Sequence, residues 1–143
     1  MLLTPPRLIM TVFAMHSIVL TNWFPRIPDM QARLGVTTGE LSLGLLGLSA
    51  GTYVALPFAG YVIERLSARR TIFFAYIFAA IGFALVGWAW SVPTLFAALF
   101  VAGLFLPVVD VAMNVEADRV EASTAARLIN RCHGTWGIGF LAA

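Results

Sequence analysis

The 143-residue chain has no lysine, one cysteine (Cys132), two histidines (His16 and His133) and few charges of either sign, 11% of its residues. Each scarcity excludes something. One cysteine leaves no intrachain disulfide framework and no CxxC metal motif. No second histidine or cysteine stands at ligand spacing from His16, so no metal is expected. A net charge of +2 carried on nine arginines is too little for a nucleic-acid footprint. The charged fraction is under half of the roughly 25% found in soluble domains, and a small soluble protein needs polar groups to cover its surface. A disordered chain needs low hydrophobicity, whereas 60% of this one is apolar. No Ser/His/Asp constellation and no glycine-rich phosphate loop occurs, so neither an enzyme nor a cofactor is expected.

The missing charges are missing in blocks. None falls between Arg7 and Arg26, Glu40 and Glu64, or Arg70 and Asp110, gaps of 18, 23 and 39 residues. A bilayer core about 30 Å thick takes about 20 apolar residues of helix. The first two gaps are one span each. The third is too long for one and folds back at Ser91-Val92-Pro93, since proline disfavours helix in the residue before it and starts a new one well. The expectation is an all-α membrane protein with spans at about 8–24, 41–63, 71–90 and 94–115 and the start of a fifth from about 133. Pro57 and Pro107 should bend the second and fourth spans. Gly47 and Gly51 give the second a small-residue face for close helix packing.

Arginine placement sets the orientation. The N-terminus, the 64–70 loop and the 116–132 segment carry seven arginines, against two (Arg26 and Arg33) on the other side. By the positive-inside rule the N-terminus is cytoplasmic, in the plasma (inner) membrane, with Trp23, Trp88 and Trp90 at the outer interface.

Two motifs carry chemistry. Between the second and third spans stand Gly60, Glu64, Arg65, Arg69 and Arg70. The glycine is followed four residues on by an acid, then a base, then a basic pair. Small residues allow a tight turn, an acid can face the positive end of another helix, and arginines can pair with nearby acids. Glu116, Asp118 and Glu121 are the candidate partners. Near the end of the fourth span, Asp110 and Asn114 are four residues apart and share a helical face. A carboxylate within a span costs roughly 2.5–3.5 kcal/mol on insertion scales and marks a path for substrate, ion or proton. His16 and Asn22 are the strongest polar groups of the first span and join Asp110 and Asn114 as candidate pathway residues.

The Gly60–Arg70 stretch resembles the cytoplasmic signature of the major facilitator superfamily, although the family usually has aspartate at Glu64 and glycine at Ser67. In that family the loop locks two six-helix halves on the cytoplasmic face. Asp110-Val-Ala-Met-Asn114 resembles the acid-x-Ala-x-Asn element in the fourth helix of fucose-permease-like members. Phe24–Gln31 resembles the end of their first helix, and Arg131–Gly137 the opening of their fifth. The resemblance implies that Asp110 is a protonatable group in substrate binding and proton coupling, with Asn114 its companion. It also implies a small-molecule substrate, such as a sugar or other metabolite, and a lipid bilayer as surroundings. Sugar symporters of that branch carry a further acid late in helix one, which this chain lacks before Asp29.

Superfamily members have twelve spans in two related bundles with substrate between them. These residues read as an N-terminal fragment of such a transporter, lacking the C-terminal half and inactive alone. A different reading is a self-contained four-helix membrane protein, acting as an oligomeric small exporter or an assembly subunit. The small exporters depend on an acid in the first helix, which is absent here.

Overall fold

The computed structural model describes residues 4–124 and 127–143. They form six α-helices: α1 (Pro5–Thr21), α2 (Ile27–Leu34), α3 (Thr38–Leu66), α4 (Ala68–Gly87), α5 (Val92–Thr124) and α6 (Ile129–Ala142). No strand occurs among the described residues. Four stretches are long and apolar enough to cross a membrane: Pro5–Leu34, Thr38–Leu66, Ala68–Gly87 and Val92–Thr124. Pro57 and Pro107 lie inside continuous helices.

The helix ends have local causes. Pro5 and Pro6 occupy the first turn of α1, where their missing or fixed backbone groups cost nothing. Thr37 and Glu40 form a reciprocal cap at the start of α3. Glu40 Oε2 accepts from the Thr37 N–H at 2.8 Å, and Thr37 Oγ1 accepts from the Glu40 N–H at 3.3 Å. This arrangement satisfies two amides that the helix itself leaves open. At α5 the Ser91 N–H donates to Thr94 Oγ1 at 3.0 Å and the Thr94 N–H to Ser91 Oγ at 3.4 Å, with Pro93 between them.

The chain packs as two units. One comprises Pro28–Ala112 and holds α3, α4 and the first part of α5. Its helices are joined through small residues. A methyl group on Gly47 or Gly51 would overlap the carbonyl oxygens of Phe96 and Phe100, and one on Gly103 that of Leu48. The Gly47–Gly51 face therefore meets α5, which runs parallel to α3, and not the next helix in sequence. In a bilayer, where lipid tails are as apolar as leucine, such backbone approach is a main source of helix association.

Helix α4 runs antiparallel to both. It packs on α5 in a fixed register. A Cβ on Gly82 would come within 2.6 Å of the Ala102 nitrogen, the Phe78 ring stacks on Phe105 at 4.8 Å, and Ile72 packs against a cluster containing Ala112. Ala55, Ala59, Ala75, Val108 and Val109 form the buried seam between these levels. The opposite faces of α3 and α4, with Tyr53, Phe58, Phe73 and Phe74, are exposed, as befits helices that meet lipid.

The α3–α4 hairpin closes at one end through Ser67 alone. At its open end, the Arg33 guanidinium on α2 donates to the Gly87 carbonyl and, at 3.3 Å, to that of Val86. A cation there suits the negative C-terminal end of α4. Gln31 Nε2 donates to Val36 O and Thr38 Oγ1, both at 3.2 Å. Helix α2 is thus tied to the end of α4 and to the start of α3. Gly35 (φ +63°) follows it, and its N–H donates to Gln31 O at 3.0 Å, a left-handed stop that glycine takes without steric cost.

The second unit comprises Met1–Ile27 and Met113–Ala143. In it α1 and α6 run parallel. Thr135 Oγ1 donates to Met10 O at 3.1 Å, and Phe13 meets His133 edge to face at 5.3 Å. A side chain at Gly139 would strike Ser17 Oγ and the Ala14 carbonyl. Glycine there is a condition of contact.

Candidate functional site

The arginine-bearing turn is built by one residue. Helix α3 ends at Leu66 and α4 begins at Ala68. Ser67 between them has φ +72° and ψ 151°, a region that only glycine enters readily. This is the position at which the superfamily signature has glycine, so the departure noted in the sequence falls on a strained backbone. Ser67 is still bonded on both sides. Its N–H donates to Ile63 O at 2.9 Å, and its carbonyl accepts from the Thr71 N–H at 3.0 Å and Thr71 Oγ1 at 2.9 Å.

Glu64, Arg65, Arg69 and Arg70 are all exposed around this turn, and Gly60 opens onto free space. The Arg65 guanidinium lies 5.2 Å from the Tyr61 ring centroid, a cation–π distance. At the C-terminal end of α3 its charge agrees with the helix dipole. Arg69 and Arg70 sit in the first turn of α4, where the dipole opposes them by about 0.3–1 kcal/mol each. Local helix stability does not call for arginines at those two places.

On α5, Asp110 is exposed, whereas Val108, Val109 and Ala112 around it are buried. Asn114, one turn further, is half-buried. Ala112 packs with Ile63 and Ala68, the residues that flank the turn. Asp110 therefore lies about 3 Å along the axis from the level of the arginine-bearing turn, at that end of the bundle. Tyr76 on α4 packs against the seam that includes Val108 and Val109 and is within electrostatic reach of Asp110. Sequence reading missed it. Its signal is solitude, because between Ile72 and Gly87 it is the one polar side chain on α4.

The remaining candidates belong to the other unit. His16 is buried in α1, while Asn22 is exposed at its C-terminal cap, donating its N–H to Ile18 O at 2.9 Å. Glu116 is buried, with Arg119 Nη1 4.0 Å from its Oε2, and Asp118 is exposed. Glu121, in the charged end of α5 beyond the apolar stretch, accepts from the Ile129 N–H at 2.8 Å and from the Leu128 N–H. Those two amides at the start of α6, Ile129 first, hold its carboxyl below the usual carboxylate range. Among the described residues no group of three or more His, Cys, Asp and Glu is placed to hold a metal.

Apolar helices packed through glycine and interrupted by a charged one-residue turn define a multi-pass membrane protein. Comparison with known proteins narrows the class. The profile of the Major Facilitator Superfamily matches residues 9–143. The chain is similar to an uncharacterised transporter, y4wD, of Sinorhizobium fredii, 30% identical over 138 residues, which are 96% of this chain and 37% of that protein. It is also similar to an uncharacterised MFS-type transporter of Yersinia pestis, 28% identical over 127 residues (89% and 33%). A third relative is the membrane protein MosC of Rhizobium meliloti, 25% identical over 130 residues (91% and 32%). No solved structure shows a significant match. The chain belongs to the major facilitator superfamily. It spans about a third of the length of the curated relatives it matches.

Proposed function

We propose that these residues are part of the N-terminal bundle of a secondary carrier for a small solute, such as a sugar or other metabolite, in the fucose-permease-like branch of the superfamily. Asp110 is its protonatable group and Asn114 the polar companion, with His16 and Asn22 on the same pathway. The observation that carries this reading is the exposure of Asp110 on a helix that is otherwise apolar at that level. A carboxylate is retained within a span where it serves a path for an ion or solute. Its exposed face awaits a second bundle, and alternating access requires two bodies rocking about a shared site. The shared length with the relatives supports such a missing half, without which the 143 residues do not transport.

Glu64, Arg65, Arg69 and Arg70 form the cytoplasmic gate in this reading. The arginine distribution supports a cytoplasmic N-terminus in the plasma (inner) membrane. The test is uptake of a panel of labelled sugars by the complete protein at several external pH values, wild type beside Asp110→Asn. The expected result is that the variant equilibrates solute but no longer accumulates it uphill. Undiminished accumulation by the variant overturns the coupling role.

A further inference from the structure

Asp110 has a neighbour that the superfamily resemblance does not supply. The α4–α5 register brings Gly82 to Ala102, Phe78 to Phe105 and Ile72 to the Ala112 cluster. Tyr76 is therefore level with Val108, about 3 Å along the axis from Asp110. The seam between the two helices at this height is Ala75 against Val109, and Tyr76 and Asp110 are each the next residue. In an antiparallel pair, one further step turns the two helices in opposite senses about their own axes. Seen from one end, both side chains then swing to the same side of the seam. Accessibility agrees, since Ala75 and Val109 are buried, Tyr76 is half-buried and Asp110 exposed. The phenol is also the one polar side chain in a long apolar stretch of α4.

We propose that Tyr76 is a positioning residue for Asp110, its hydroxyl donating to the carboxylate and holding it at the mouth of the α4–α5 seam. The proposal rests on the reading of Asp110 as the exchange site. The ring packs against the buried cluster of Ala55, Ala59, Ala75, Val108 and Val109, which positions the hydroxyl without a loop. A hydroxyl that donates to a carboxylate favours the charged form over the acid, and that difference is what the test reads. The charged side chains on the elements packed at this level are Glu64 and Arg65 on α3 and Arg69 and Arg70 on α4. All four are common to wild type and variant.

The test is labelling of Asp110 by a hydrophobic carbodiimide, which reacts with protonated carboxyls, in the full chain in lipid bilayers. Mass spectrometry reads the Asp110 peptide across a pH series. Tyr76→Phe keeps the ring and its packing and removes only the hydroxyl. It should raise labelling of Asp110 roughly tenfold at a fixed pH on the steep limb of the curve. Tyr61→Phe, on an exposed ring of α3, should not move it. An unshifted curve for Tyr76→Phe, or an equal shift in both variants, overturns the proposal. The outcome is separable from that of the uptake experiment. A failed coupling role for Asp110 leaves the labelling shift intact, and a missing shift leaves coupling untouched.

Discussion

The two ends of the α3–α4 hairpin solve one problem in opposite ways. At the arginine-bearing end a single residue, Ser67, turns the chain, with its backbone in a region that glycine prefers. At the other end, nothing covalent joins Thr38 to Gly87 directly. There α2 bridges the gap with polar contacts, from Arg33 to the last carbonyls of α4 and from Gln31 to the start of α3. One end is held by connectivity at the expense of strain. The other is held by hydrogen bonds that water can compete for. The strained end carries the charged signature, so the covalent closure lies where the gate is proposed and the hydrogen-bonded closure where it is not.

Three substitutions break or sharpen that contrast. The largest effect is expected at the turn. Ser67→Gly should relieve backbone strain and stabilise the chain by about 1–3 kcal/mol, read as a rise in the unfolding midpoint in detergent micelles. A fall would mean that the turn is not strained. Next, Thr37→Ala removes the reciprocal cap of α3 at the bridged end and should destabilise by about 1 kcal/mol. Its hydrogen exchange should quicken at residues 38–41 and stay unchanged at 67–71. The smallest effect is that of Arg33→Ala, about 0.5–1 kcal/mol for an exposed cation at a helix end. Its signature is local, with faster exchange at residues 86–89 while the Ser67 end keeps its protection. Equal loosening at both ends would show that the hairpin responds as one body and that the contrast is false.

The bundle was largely legible because membrane helices are written in long absences of charge, and gaps of that size have few other readings. Pro93 marked the start of α5 for a local steric reason. Other features were hidden because they depend on which elements meet. The spacing of Gly47 and Gly51 announces a small-residue face but not that the face meets α5 rather than α4. Helix α2 is eight residues with an acid and an arginine, too short and mixed for periodicity to separate from a loop. The purpose of Arg33 lies 53 and 54 residues away. At the candidate site, the acid that ends the long apolar stretch of α5 was visible from composition. Its accessibility and the proximity of Tyr76 follow from the register of two helices, which single positions do not encode. Ser67 was readable as a departure from glycine, and its positive φ turns that departure into a physical cost.

The parallel seating of α1 on α6 bears on how the protein is made. The Thr135–Met10 hydrogen bond links positions 125 residues apart. At roughly 5–20 residues per second of synthesis, α1 leaves the ribosome roughly 6–25 s before that mate exists. For that interval its small-residue flank, Ala14 and Ser17, has only lipid or the insertion machinery to lean on. Biogenesis of this chain therefore includes a waiting period for its first helix, and helpers that shelter such a helix should be needed most when translation slows before Ile129.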